Sequence, residues 1–213
     1  MTTTRTTTSR MTSTRVRPLR SDVREQIVVA AGEEFAERGY AGTSVAQVAA
    51  RAGFTKGAVY SNFGGKPELF AAAMQAYFTG AVVGAFAGAL GAAATATGQP
   101  PAAAMAHALA ENVLLGERWP ALLGEFRSVV AHEPALRDLY TELRVTQREQ
   151  LVDALRRAGE QVPLRADLDL GVAATLLLTC VHGLSVERSA APEAVPRALV
   201  EGLFTQVLEG ILA

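Results

Sequence analysis

The sequence predicts an all-α fold of about nine helices, arranged as a three-helix N-terminal head and a larger helical body. Three observations predict it. Apolar residues recur at spacings of three and four along nearly every segment, and no stretch alternates with period two beyond a few residues. Gly and Pro fall between the periodic segments, where helix stop and start signals belong. The 213 residues are 49% apolar with a formal net charge of −1, so the chain can bury a core without disulfides, and wholesale disorder is excluded.

Residues 1–20 carry five arginines, no acid and no apolar run of the secretory type, and are expected to form a disordered basic tail. Val23, Ile27, Ala31 and Phe35 form one stripe of a first helix that Gly39 stops. Val45, Val48, Ala49 and Ala52 mark a second helix, capped by Thr43 or Ser44 and ended by Gly53. Thr55 caps a two-turn third helix reaching Phe63; Gly64-Gly65 breaks it, and Pro67 suits the first turn of the next. Pro120 opens a helix to about Ala131, and Pro134 opens another. The latter's stripe runs through Leu136, Leu139, Tyr140, Leu143, Gln147, Leu151, Ala154, Leu155 and Ala158 to Gly159. Residues 168–189 read as a nearly all-apolar helix. Val195, Leu199, Leu203, Val207 and Ile211 repeat every fourth position in the last. These two terminal helices are more apolar than a monomer's surface tolerates, which predicts a homodimer interface.

No residue from Leu69 to Ala110 is charged, and Gly80, Gly84 and Gly88 form GxxxG steps. The stretch is Ala- and Gly-rich with little to drive insertion, and Gly98-Gln99-Pro100-Pro101 interrupts it, so close-packed helices are expected and no membrane span. One cysteine and three histidines give neither a disulfide framework nor a zinc spacing; no metal and no cofactor are expected. Cys180 and His182 are expected as a buried small side chain and an interface hydrogen bond. Without a GxSxG, a P-loop or an activated cysteine, no catalytic residues are expected either.

Charge is unevenly spread. Residues 1–66 hold ten Arg/Lys against five Asp/Glu, whereas the remainder holds ten against sixteen. A basic head on an acidic body suits a polyanion-binding module. Within that head, Thr43–Lys66 reads TSVAQVAARAGFTKGAVYSNFGGK, two helices joined by a turn at Gly53, which is helix-turn-helix geometry. The inward positions Val45, Val48, Ala49, Val59 and Phe63 are apolar. The outward face of the short second helix offers Thr55, Lys56, Tyr60, Ser61 and Asn62, all able to hydrogen-bond in a major groove.

These residues resemble the TetR family of bacterial one-component regulators. The resemblance rests on Gly39-Tyr40, Thr43-Ser44-Val45, Ala52-Gly53-Phe54-Thr55-Lys56-Gly57, Tyr60-Ser61-Asn62-Phe63 and Lys66-Pro67-Glu68-Leu69, in order and without gaps over residues 21–74. Phe54 and Asn62 depart mildly from the family's usual choices. The resemblance implies a DNA-binding domain over 21–66 and an effector-binding and dimerisation domain over 67–213. It also implies a cytoplasmic repressor that a small ligand releases from a palindromic operator. Thr43, Thr55, Tyr60 and Lys66 would then face the DNA backbone, Lys56, Gly57, Ala58 and Ser61 the base edges, and Ser44 and Asn62 would belong to the same DNA-binding surface. The implied pocket, in a body of small residues punctuated by large ones, would draw on Phe78, Phe86, Met105, His107, Asn112, Trp119 and Phe126, with Met74 and Tyr140 as further candidates, for an apolar or aromatic effector. Two other classes compete: a helical protein–protein adaptor, which should present an apolar face where Lys56 and Lys66 stand, and an enzyme lacking a recognisable motif.

Overall fold

The computed structural model describes residues 20–84, 86–89, 100–115 and 118–212, apart from the side chains of Arg20, Asn112 and Leu115. The basic tail and the Gly98-Gln99 break lie outside the described residues. Nine α-helices follow in order among the described residues. They are α1 (Arg20–Gly42), α2 (Val45–Ala52), α3 (Lys56–Phe63), α4 (Lys66–Tyr77), α5 (Pro101–Leu115), α6 (Arg118–His132), α7 (Arg137–Ala158), α8 (Leu170–Ala190) and α9 (Arg197–Glu209). A π-helical turn, Phe78–Val83, extends α4, and helical backbone continues to Ala89.

The helix ends follow local chemistry. Gly39 takes φ 76° and breaks α1 three residues before its last. Pro120 lies within the first turn of α6, and Pro134 opens a 3-10 turn, Pro134–Leu136, that leads into α7. The last helix starts later than its apolar pattern implied. Pro196 is extended and serves as N-cap after a 3-10 turn, so α9 begins at Arg197 rather than Val195. Its buried stripe is also offset: Val200, Phe204 and Leu208 face inward, while Leu199 is exposed and Leu203 and Val207 are half-buried. Both rows of α9 are apolar; of the expected row, Val195 and Ile211, which flank the helix, are buried, while the positions within it lie outward of Val200, Phe204 and Leu208.

Two apolar cores organise the chain. The first gathers Ile27 and Phe35 of α1, Val48 of α2, Val59 of α3, and Leu69 and Phe70 of α4. It does not close at residue 66: Leu122, Phe126 and Val130 of α6 and Leu143 of α7 complete it. The rings of Phe35, Tyr40, Phe70 and Phe126 pack with centroids 4.8–6.0 Å apart. Arg51 of α2 is gripped by Glu33, Glu34 and Glu37 of α1 at 3.3, 2.7 and 2.6 Å, which ties the motif's first helix to the head.

The second core joins Phe78, Val82 and Phe86 beyond α4 to Met105, Leu109 and Val113 of α5, Leu155 of α7, Leu177 of α8, and Phe204 and Leu208 of α9. One continuous helix thus serves both cores, and the π turn falls where it passes from one to the other. By length and composition that helix, Lys66–Ala89, and α8 could each cross a bilayer; both contribute buried residues to these cores.

Phe126 is fully buried where α6 enters the head's core. Phe126→Ala is expected to cost about 3–5 kcal/mol in a denaturant titration, the usual range for a buried aromatic replaced by a cavity.

Candidate nucleic-acid interface and effector cleft

The helix-turn-helix is fixed by its caps. Ser44 caps α2 in a reciprocal box: its hydroxyl accepts the Gln47 N–H (3.3 Å), and its own N–H donates to Gln47 Oε1 (2.8 Å). Gly53 ends α2 in the left-handed region (φ 73°), with nothing near a Cβ built there, so conformation rather than space demands glycine. Thr55 then caps α3, its hydroxyl accepting the Ala58 N–H at 3.2 Å. Val59 and Phe63 point inward.

The outward face of α3 presents Lys56, Gly57, Tyr60 and Ser61, all exposed. Neither Lys56 nor the Tyr60 hydroxyl has a polar partner among the described residues. Ser61 donates to the Ala58 carbonyl (3.0 Å), as does the half-buried Asn62 amide (2.7 Å), and Ala58 is itself half-buried. A Cβ on Gly57 would meet only the Thr55 hydroxyl, at 3.8 Å, so nothing inside the chain requires glycine there.

Two expected backbone contacts are placed differently. Thr43 is buried, and its hydroxyl donates to the carbonyls of Gly39 (2.8 Å) and Glu34 (3.1 Å), so it anchors the end of α1 instead of facing a duplex. The half-buried Lys66 donates to the Ala41 carbonyl (3.3 Å) and lies 4.5 Å above the Tyr40 ring; partial burial draws its pKa down. Arg24 was not singled out from the sequence. Its guanidinium donates to the Asn62 carbonyl (3.1 Å) and covers the Phe63 ring, which brings a cation to the C-terminal end of α3.

The residues expected around a ligand are dispersed. Phe126 belongs to the head's core, and Phe86 and Met105 are packed into the second core. His107 is a surface residue, its ring 2.9 Å from Glu201 of α9, because its position on α5 faces outward over that helix. The Asn112 side chain lies outside the described residues. Phe78 and Trp119 come together with Met74 around a void of about 20 Å³ that also touches Tyr77, Gln147 and Ser185. Trp119 stacks on Tyr77 with centroids 4.7 Å apart.

Beside that void, and sharing Pro120, Leu123 and His182 with it, a cleft of about 340 Å³ opens between α6, α7 and α8. Arg127, Tyr140 and Arg144 line it. Arg144 is half-buried and donates to Gln147 Oε1 (2.7 Å) and to His182 Nδ1 (3.1 Å). An arginine can only donate, so the imidazole accepts and is neutral. Burial first, then the charges of Arg144 and Arg127, lower the His182 pKa to about 4. The residue expected at an interface hydrogen bond thus lines the cleft. These three cationic or titratable side chains come from separate helices and carry no local motif, so the sequence offered no signal for them.

A capped two-turn helix with an exposed polar face, joined by a tight turn to the helix before it, defines a helix-turn-helix DNA-binding protein. The comparisons agree. Residues 27–73 match the family model of bacterial regulatory proteins of the tetR family, and residues 101–213 match that of the BetI-type transcriptional repressor, C-terminal. The chain belongs to the TetR family and is a DNA-binding transcriptional regulator. It is 37% identical over 65 residues to the HTH-type transcriptional activator FasR of Mycolicibacterium smegmatis, a stretch covering 30% of each protein. Among solved structures, it resembles a TetR-family transcriptional regulator from Rhodococcus sp. (TM-score 0.67, 20% identity, 91% of this chain and 100% of that one). It also resembles a transcriptional regulator from Rhodococcus sp. Rha1 (TM-score 0.59, 25% identity, 88% and 97%).

Because His182 titrates near 4 when folded and near 6.5 when unfolded, unfolding takes up a proton between those values. Stability should be full above about pH 6.5 and fall as pH drops towards 4, by on the order of 2–3 kcal/mol. Melting curves across that interval should show the slope, and His182→Asn should remove it.

Proposed function

We propose that the chain works as a cytoplasmic homodimeric repressor that reads an inverted-repeat operator with α3 and is released by a small molecule held between α6, α7 and α8. The observation that carries the DNA reading is the exposed run Lys56, Gly57, Tyr60 and Ser61 on a helix capped by Thr55 at one end and Gly64 at the other. Lys56, Ala58, Ser61 and Asn62 stand nearest the bases in this reading. Thr55 and Tyr60 flank the sugar-phosphate backbone, and Ser44 presents the N-terminus of α2 to it. Lys66 adds a cation at the junction of α1 and α4. Repression rather than activation is favoured by the match of the body to a repressor-type C-terminal domain.

Release is supported by what α6 touches. Leu123, Gly124 and Arg127 line the cleft, while on the same helix Glu125 accepts the Tyr40 N–H at 2.8 Å and Phe126 sits in the head's core. A ligand that moves α6 therefore moves the head, and the coupling is reciprocal: bound operator weakens ligand affinity by the same factor. An effector with an aromatic or apolar body suits the walls of Pro120, Leu123 and Tyr140.

Dimerisation is supported by the outer faces of α8 and α9. Of seven exposed large apolar residues among those described, four lie there: Val172, Leu176 and Val186 on α8, and Leu199 on α9. With Thr179 and Gly183 between them, the α8 positions follow alternating steps of four and three, the spacing of a helix–helix seam. Sedimentation at micromolar concentration should give about twice the 22.4 kDa chain mass; a clean monomer overturns this part.

DNA selected from a random pool should contain an inverted repeat, since a two-fold dimer offers two equivalent α3 helices. On that DNA, Gly57→Ala should stabilise the head by up to about 0.5–1 kcal/mol while weakening binding, because the added methyl obstructs close approach. Unchanged affinity in a mobility shift would remove α3 from the groove.

A further inference from the structure

The guanidinium of Arg144 is largely withdrawn from water without an acid to compensate it. Only its Nη1 is engaged, by Gln147 and the neutral His182, and no carboxylate among the described residues forms an ion pair with it. Burial draws its pKa down. Charged side chains are seldom left so; a buried charge without a partner costs several kcal/mol, and partners are normally built in. Arg127 faces the same histidine from α6 and adds a second positive charge to the cleft wall. Glu187, exposed on α8, is the one acid on the cleft wall, so that wall is net positive.

The adjoining void carries a matching irregularity. Ser185 is only 2% exposed, and its hydroxyl has no hydrogen-bond partner. A hydroxyl without a partner in the adjoining void and a guanidinium without an anion in the cleft wall both leave donors for acceptor oxygens. Pro120, Leu123, Gly124 and Tyr140 form the apolar or aromatic wall on α6 and α7, and Thr179, Gly183 and Val186 of α8, which also belong to the proposed dimer seam, close the other side.

We propose that the effector of this cleft is an organic carboxylate with an aromatic or apolar body, its anionic group paired with Arg144 beside Arg127. The inference rests on the reading of this cleft as the effector site. A planar carboxylate would meet the free edge of Arg144, formed by Nε and Nη2, in a two-bond fork. His182, kept neutral, adds no competing charge. A cationic effector is disfavoured by the same two arginines, which would repel it at close range. A cleft of about 340 Å³ sits at the small end of ordinary ligand pockets, which suits a compact acid rather than a long chain.

Trp119, the single tryptophan, lines the void beside the cleft and reports occupancy by its fluorescence. Phenylacetate, phenylacetamide and phenethylamine share one skeleton and differ in the charge of one end, and each is titrated into the full chain without DNA. Phenylacetate is expected to bind at least about tenfold more tightly than the amide, as a charge-assisted hydrogen-bonded pair allows, and the amine not at all. Arg144→Met should abolish that preference, and Arg144→Lys should retain part of it. Removing an unpaired buried charge should leave the melting temperature of Arg144→Met unchanged or raised, which shows that the variant is folded.

Equal binding of acid and amide overturns the proposal, as does a preference that survives Arg144→Met. So does failure of phenylacetate to bind together with a sharply lowered melting temperature in Arg144→Met, which would mean that Arg144 is already paired in the assembled protein. A mobility shift then tests the underlying reading separately. Selective phenylacetate binding that leaves operator binding intact sustains the anion site and overturns release through it. Release by the neutral amide sustains the effector cleft and overturns the anion requirement.

Discussion

The seating of Phe126 in the head's core governs how the two halves of the molecule relate. Its ring lies 4.8 Å from that of Phe70 and 5.2 Å from that of Tyr40, so α6 is referenced to the DNA-binding head by close packing and not by a hinge. One residue earlier, Glu125 accepts the Tyr40 N–H, directly after the break at Gly39. A Cβ at Gly39 would approach the Glu125 carboxylate to 3.0 Å, so the glycine answers both a backbone angle and a close approach. Those two neighbours on α6 hold the corner where α1 ends, and that corner presents Thr43 to its carbonyl partners and starts α2 in register.

The head was legible in the sequence because its determinants are local. Ser44, Gly53 and Thr55 act within four residues of themselves, and the inward positions of α2 and α3 follow a helical period that few alternatives share. The open choice between Thr43 and Ser44 as cap was settled by burial: Thr43 turns inward, and Ser44 forms the box with Gln47. The body was legible as helices but not as a site. Aromatics set among small residues suggested a cavity around Phe78, Phe86 and Phe126, yet all three are fully or nearly fully buried: Phe78 and Phe86 pack among the alanines and leucines of the second core, and Phe126 among the aromatic rings of the first. The cleft instead uses Arg127, Arg144 and His182, which occupy positions on three helices that are polar or interfacial by pattern. Only the packing of α7 against α8 makes them neighbours.

The two cores also explain where the charges went. Cationic side chains of the head stay exposed, as Lys56 does, are tied to acids of α1, as Arg51 is, or lie over an aromatic ring, as Lys66 does. In the body, Arg197 joins Glu111 and Glu201 across α5 and α9 at the surface, where such pairs contribute little to stability. Arg144 breaks that pattern. It is half-buried on α7, and the groups it donates to are an amide and an imidazole.

The continuous helix from Lys66 to Ala89, with its π turn, has a consequence for building hybrids. A chimera that exchanges DNA-binding heads at the apparent boundary after Lys66 would keep Leu69, Phe70, Leu122 and Phe126 from one parent and offer them to the foreign α1 and α3 of the other. The mismatch would fall in the aromatic cluster, where the rings are in close contact. A junction within Phe78–Val83, combined with grafting of the head-facing side of α6, moves the seam to the point where the shaft already changes partners. In this architecture, the natural unit of exchange is the closed core rather than the segment of chain.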